Sequence, residues 1–432
     1  MITIIDLVAG FDAIVDAWTR TRRDSLARAS ALAMLSRFSS VFLSLIAGII
    51  VARSLGADGK GALAYVTTTA NLAARLISLG LEASFTRFNR VKRVPADLAA
   101  GSIVWTTLAL GVAGAIALDL AYSFVPAVGG GVPPTLVRAT FWAMPALLFL
   151  FVLSPILYGL NRELEFGAVD VAWKVGTLLV TVAAIRSAWK SIVAVGVLQL
   201  VVAAISAVAG FAVLVRVVGG RLRWRSDTLR EMLAYSTGVY AYNTIRYALA
   251  SGSMLLAGQL LSVADAGVFS VALMLGEAVS LVAASINLAF YPAVAVTSAP
   301  GAYARRVAGR VMMLCAAFGV GLLAVSLWIV PILYGSAFAP AVPLFAALLP
   351  GVVLLGGEQV VASVFAAAGQ TRPATLAVTV GAVLLPVLSV WLAGRGGIFG
   401  LAVACSITQA VTATIAFDAF RRRQAAFATR LT

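Results

Sequence analysis

Arg75, Lys174 and Arg246 each lie inside a long apolar run of the 432-residue chain. A guanidinium stays charged at any relevant pH and offers planar, paired donors that fit a phosphate or a carboxylate. Buried in hydrocarbon, such a charge costs about 3 kcal/mol or more unless it faces protein or water. Arg75, flanked by Leu72 and Leu76, falls at the middle of its run. Arg246 stands in Thr244-Ile245-Arg246-Tyr247-Ala248, where it either lines an interior or reaches back along its stem to the surface. Tyr240, Asn243 and Tyr247, spaced by three and four, share a helical face suited to sugar hydroxyls and ring stacking. Lys174 follows Asp170 by four residues, so a helical ion pair explains it as well as ligand binding does. Arg37 and Arg53 bracket the first apolar run; Arg37 either marks topology or meets an incoming anion.

The acids in apolar surroundings are Asp119, Glu277 and Glu358. Carboxylates at mid-membrane depth take up protons or sodium, or balance a nearby cation. Glu277, in Leu275-Gly276-Glu277-Ala278, is the first candidate for coupling to an H+ or Na+ gradient, with a static counter-ion to Arg75 or Arg246 as the other reading. Groups for catalysis or metal binding are missing. The chain has no His, and its two cysteines, Cys315 and Cys405, lie inside apolar runs. Gly56-Ala-Asp-Gly-Lys-Gly lacks the Gly-Lys-Ser/Thr order of a phosphate loop. No catalytic residue, metal or cofactor is expected, and any energy must come from an ion gradient, the substrate gradient or assembly downstream.

The elements that must position these groups follow from composition. The chain is 62% hydrophobic and 11% charged, with a mean hydropathy of +1.01, whereas soluble domains carry ~25% charged residues. This predicts an all-α polytopic membrane protein with about twelve spans, near 32–53, 62–86, 97–125, 136–160, 167–186, 191–217, 233–261, 267–295, 305–334, 339–368, 374–394 and 397–420. Pro155, Pro292, Pro331, Pro350 and Pro386 interrupt spans as hinges or ordinary kinks. Residues 1–30 hold Ile4, Leu7, Val8, Phe11, Ile14, Val15 and Trp18 at helical spacing, which predicts an amphipathic interfacial helix, the alternative being a disordered tail. They are no secretory signal, because Arg20, Arg22 and Arg23 follow the apolar part.

The net charge of +15 does not point to nucleic acid, because the basic residues crowd into short loops beside apolar runs. Placed on this topology, 23 of the 32 basic residues fall on the side of the N-terminus and 6 on the other, so both termini are expected in the cytoplasm. The chain also repeats itself. Leu55-Gly-Ala-Asp-Gly-Lys-Gly61 resembles Leu261-Ser-Val-Ala-Asp-Ala-Gly267, an offset of 206, and Gly159-Leu-Asn-Arg162 resembles Gly369-Gln-Thr-Arg372, an offset of 210. Six spans repeated in the same orientation predict two pseudo-symmetric lobes, 31–218 and 233–420, around a central cavity. A basic cytoplasmic linker (219–232) joins them, and a basic tail (421–432) follows.

The turn Ala52-Arg-Ser-Leu-Gly-Ala-Asp-Gly-Lys-Gly61, with Leu79-Gly-Leu-Glu82 a span later and Gly369-Gln-Thr-Arg372, resembles a known signature. It is similar to that of the polysaccharide transporters, flippases of the lipid-linked-oligosaccharide and O-antigen type, in the multidrug/oligosaccharidyl-lipid/polysaccharide (MOP) flippase superfamily. The resemblance implies two six-helix lobes that rock to alternate access in a bacterial inner membrane. It also implies an undecaprenyl-pyrophosphate-linked glycan as substrate, with polysaccharide polymerase and assembly proteins as partners besides the bilayer. Related lipid II flippases use cavity arginines on the first, second and eighth helices. Here Arg37, Arg53 and Arg75 match the first two, while span eight has no basic residue and Arg246 on span seven is the substitute. In this setting Arg75 and Arg246 would hold the pyrophosphate.

Three rival readings are open at this point. A multidrug or organic-ion antiporter of the same superfamily would prefer a carboxylate-lined cavity. A major-facilitator transporter would carry an acidic-and-basic, glycine-containing signature where Arg87 to Asp97 stands. A membrane glycosyltransferase or ligase needs a sizeable outer loop, and every outer loop here is short.

Overall fold

In hydrocarbon every backbone N–H and C=O must be satisfied within the chain, and helices do this segment by segment. The computed structural model describes residues 25–187, 191–294 and 300–428, and among the described residues there are helices and no strand. The N-terminal half comprises α1 (Ser25–Ile77), α2 (Leu81–Thr86), α3 (Ala96–Phe124), α4 (Pro134–Trp142), α5 (Met144–Gly159), α6 (Glu163–Arg186) and α7 (Ile192–Val217). The C-terminal half comprises α8 (Ser226–Leu260), α9 (Val263–Val294), α10 (Pro300–Tyr334), α11 (Ala341–Ala367) and α12 (Arg372–Ala428). The first 24 residues, most of the expected interfacial helix, lie outside the described residues.

Eight of these helices are long and apolar enough to cross a membrane, nine when α4 and α5, bent by 51° at Ala143, are taken together. α1 and α12 each hold two spans, because Gly56 (φ 69°, ψ −165°) and Gly397 (φ 56°, ψ −138°) leave helical geometry and fold each helix back. The 35-residue α8 completes the twelve. It falls short on apolarity because its centre carries Tyr240, Tyr242, Asn243, Arg246 and Tyr247. Outward faces are apolar, as lipid contact demands: Trp328 of α10 is 76% exposed and Phe124 of α3 is 78%. One packed interior holds Phe85, Phe88 and Phe149 in the N-terminal half, and another, around Phe269, Phe345 and Phe365, continues across the boundary to Tyr65 and Phe141.

The two halves meet through the glycines that the internal repeat singles out. A Cβ on Gly61 would lie 1.9 Å from the Val263 carbonyl oxygen and 2.8 Å from the Gly267 nitrogen. A Cβ on Gly267 would lie 2.0 Å from the Ala57 carbonyl oxygen and 3.0 Å from the Gly61 nitrogen. Ala57 and Val263, like Gly61 and Gly267, are separated by the repeat offset of 206, so each half presents the same backbone patch to the other. Such reciprocity is the mark of a two-fold contact, here a pseudo-two-fold within one chain. Both backbones come this close only because neither position carries a side chain.

The second repeat match has a different register from the expected one. The equivalent residues are Asn161 (φ 57°) and Gly369 (φ 65°), 208 apart, each in the left-handed conformation just past a helix end. The following amide reaches back five residues in both places, from Arg162 to the Leu157 oxygen and from Gln370 to the Phe365 oxygen, each at 2.8 Å. Asn tolerates this conformation better than most residues, so Asn161 and not Gly159 is the counterpart of Gly369.

The linker is strapped along the start of α3. Gly219 and Gly220 (φ 92° and 91°) turn the chain out of α7, and the Arg223 guanidinium forks onto both oxygens of Asp97. That hydrogen bond to Asp97 raises the Arg223 guanidinium above its ordinary range. The Trp105 indole donates to the Leu222 oxygen at 3.1 Å, and that of Trp224 to the Thr106 hydroxyl at 3.3 Å.

Candidate functional site at the lobe interface

α1 does not run through to residue 86 as expected. It ends at Ile77, and Leu79 (φ 52°) with Gly80 (φ 72°) breaks the span before α2 resumes it. Arg75 therefore lies in the last turn of α1 rather than at the middle of an unbroken helix. A helix C-terminus exposes carbonyls and a partial negative charge, which favours a cation there. One freed carbonyl, that of Leu76, accepts a 2.7 Å hydrogen bond from the Tyr240 hydroxyl across the lobe boundary. Gly80 lets the chain approach, since a Cβ there would stand 2.9 Å from the Cβ of Tyr240. Discontinuous helices in transporters commonly flank binding sites.

The Arg75 guanidinium carbon lies 5.1 Å from the Phe151 ring centre of its own lobe and 4.3 Å from the Tyr247 ring centre of the other. Its Nε is buried and donates to nothing. Glu82 is within electrostatic reach, yet among the described residues Arg75 makes no ion pair. A half-buried cation held by two aromatic faces and an open helix end keeps its hydrogen-bond donors for something else.

Arg246, adjacent to Tyr247 on α8, is held differently. Its Nη1 pairs with the Glu358 Oε2 of α11 at 2.6 Å and donates to the Tyr242 hydroxyl at 3.3 Å. The Glu358 side chain is 0% exposed, that of Arg246 is 23% exposed, and Glu358 Oε1 is buried without a hydrogen bond. The pair lies wholly within the C-terminal lobe. Glu358, rather than Glu277, is thus the counter-ion of Arg246.

The remaining sequence candidates are scattered. Arg53 donates from Nε to the Leu333 oxygen at 2.8 Å and from Nη2 to the Ile332 oxygen, capping α10 from the opposite lobe. Lys174 lies 4.0 Å from the centre of the Trp173 ring, with Asp170 facing it electrostatically. Asn243 is exposed beside the site. Asp119 pairs with Arg138 of α4 at 3.4 Å, toward the end of α3 rather than at mid-span. Glu277 is exposed on α9, within electrostatic reach of Lys60, whose Nζ lies 3.0 Å from where a Cβ on Gly48 would stand. The side chain of Arg37 lies outside the described residues.

Tyr65, which the sequence reading passed over, bolts the lobes together on the side opposite the basic loops. Its hydroxyl donates to the Val128 oxygen at 2.6 Å and accepts from Gln259 of α8 at 2.8 Å, and its ring fills the space over Gly130 and Gly258. A Tyr followed by no charged partner looks like ordinary core in a sequence; the facing glycines were the available signal. An apolar groove of about 610 Å³ lies elsewhere, between α3 and the linker, bounded by Trp105, Trp224 and Leu229.

A family model described as polysaccharide biosynthesis protein matches residues 26–298. No curated protein matches the chain. Solved structures share its fold. An inward-facing multidrug resistance MATE transporter of the MOP superfamily superposes with a TM-score of 0.69 at 15% identity, covering 90% of this chain and 95% of that one. A MOP superfamily transporter from Pyrococcus furiosus, described by the reversed polarity of its binding pocket, gives 0.62 at 14% identity, covering 93% and 95%. The lipid II flippase MurJ in an inward closed conformation gives 0.63 at 14% identity, covering 90% and 87%.

Proposed function

Because the chain belongs to the polysaccharide biosynthesis protein family, with the membrane-transporter fold of the MOP superfamily, we propose that it flips a polyprenyl-pyrophosphate-linked oligosaccharide across the bacterial inner membrane. The observation that carries this reading is Arg75: a cation without an ion-pair partner among the described residues, at a break in its helix, held between an aromatic ring of each lobe. A diphosphate needs bidentate donors while its lipid tail stays in hydrocarbon and its glycan crosses an aqueous path. Arg246, with its partly exposed guanidinium one position from Tyr247, is the second ligand. Because Arg75 touches both lobes, a diphosphate seated there sits where their relative motion is felt. The 23-to-6 split of basic residues supports cytoplasmic termini and hence loading from the inner leaflet. Glycan polymerase and assembly proteins would act on what is delivered.

The second reading, a multidrug or organic-ion antiporter, draws on the exposed Glu277 and on the MATE neighbours. One experiment separates the two. The purified protein in liposomes is offered a fluorescent polyprenyl-pyrophosphate glycan or a cationic dye, under an imposed proton or sodium gradient. Transbilayer movement of the glycan lipid alone supports the flippase; movement of the dye alone replaces it with the antiporter. The gradient that accelerates movement identifies the coupling ion, with Glu277, Glu358 and Asp119 as the acids to vary.

A further inference from the structure

Arg75 lies against the turn of α8 that carries Arg246, but the two differ in electrical state, the first without an ion pair among the described residues and the second already neutralised by Glu358. We propose that Glu358 is a built-in competitor for Arg246: when the substrate's diphosphate engages the exposed side of that guanidinium, Glu358 gives up its charge by taking up a proton supplied by the buffered solution. This rests on the reading of the site as a diphosphate site.

The geometry sets up the exchange. Glu358 stands behind Arg246, out of contact with solvent, and one of its oxygens has no hydrogen bond at all. A buried carboxylate in that position depends on a single guanidinium for its stability as an anion. Among the described residues, two groups meet its carboxylate. From α8 they are Arg246 and Tyr242, the latter within reach of the same guanidinium. One and two residues before Glu358, the side chains nearest Gly357 and Gly356 include Ala283 of α9, Val311, Met312 and Cys315 of α10, and Phe417 of α12. Cys315 is the one titratable group among them, and it carries no positive charge to replace Arg246. Once a diphosphate shares the guanidinium, two anions face one cation in a medium of low dielectric, and the weaker acid is the one that protonates. The unbonded Oε1 is the free site for that proton. Each binding event then draws in one proton, and release on the far side returns it. Substrate movement and proton movement are thereby tied together without any acid touching the glycan.

The test is calorimetric titration of a disubstituted diphosphate that stays fully ionised near neutral pH, a nucleoside diphosphate sugar, into the purified full-length protein, in buffers of different ionisation enthalpy so that protons taken up per ligand are counted. The probe's own titration is removed by comparing wild type with Glu358→Gln, which keeps the shape and loses the charge. Wild type is expected to take up about one proton more than the variant, and the variant is expected to bind roughly tenfold tighter at neutral pH. Glu358→Asp, which keeps a titratable group, is expected to restore the extra proton. Equal proton counts and equal affinities in all three overturn the competition while leaving the diphosphate site standing. Absence of binding of that diphosphate in all three, with Arg75→Ala no different, overturns the reading beneath it.

Discussion

At the scale of single residues, the site is a contrast between two arginines. Arg75 is restrained by ring faces and a helix end, which hold a guanidinium without consuming its donors. Replacement by Lys keeps the charge but loses the planar fork, so glycan export measured in cells at normal protein level should fall severalfold, and further with Arg75→Ala. A charge-assisted pair contributes about 1.5–3 kcal/mol, or roughly ten- to a hundredfold. Tyr247→Phe should be nearly neutral because the ring remains, whereas Tyr247→Leu removes the platform, and flux in liposomes should separate the two. Much of this was legible in the sequence: charges in apolar runs announce themselves, and so did the face shared by Tyr240 and Tyr247. Their partners were not. Glu358 is 112 residues from Arg246, and Arg53 reaches carbonyls about 280 residues away, so only the packing of lobes and helices selects which acid or helix end each cation meets. Backbone acceptors in particular leave no trace in a side-chain pattern.

At the scale of elements, broken helices do the positioning. Gly56 and Gly397 turn one long helix into two spans, a reversal expected from the glycines near residues 56–61 but achieved at a single residue rather than across a loop. The break at Leu79-Gly80 was readable in principle from its glycine, yet the surrounding apolar run masked it, since hydropathy measures transfer to lipid and not backbone continuity. Gly61 and Gly267 are the clearest test at this level. A Leu at either site would drive a side chain into a backbone carbonyl, so each variant should lower the melting temperature in detergent markedly, while Gly309→Ala, where nothing stands within 4 Å, should not. Tyr65→Phe keeps the ring that Gly130 and Gly258 pack against and removes two hydrogen bonds. Its cost should be about 1–3 kcal/mol, read as a fall in the same melting temperature.

At the scale of the whole molecule, two half-chains related by a repeat of 206 residues touch through equivalent backbone patches, and the site lies between them. Besides Arg75 on the Tyr247 ring at the site itself, the contacts described across the boundary include two sets. On the side away from the basic loops they are Gly61 with Gly267, Tyr65 with Gln259, and Arg53 with the end of α10. On the basic side they are Lys92 with Glu231 at 2.6 Å, Arg87 over the Tyr235 ring, and Tyr240 with Leu76. The basic-side contacts are long side chains and one hydrogen bond, which exchange readily with water. Alternating access requires the first set to part. Spin labels at the exposed Val128 and Ser336, one in each lobe, should show a single separation in the unliganded protein and a second, longer one when glycan lipid is added. One unchanged distance would argue against rocking lobes.

The central claim is that the Arg75 guanidinium is the anchor for a lipid-linked diphosphate as it crosses between leaflets. Its most direct measurement is the initial rate at which a polyprenyl-pyrophosphate glycan changes leaflet in liposomes holding wild type or Arg75→Ala at equal, folded amounts. The rate is predicted to fall at least tenfold in the variant; an unchanged rate would contradict the claim.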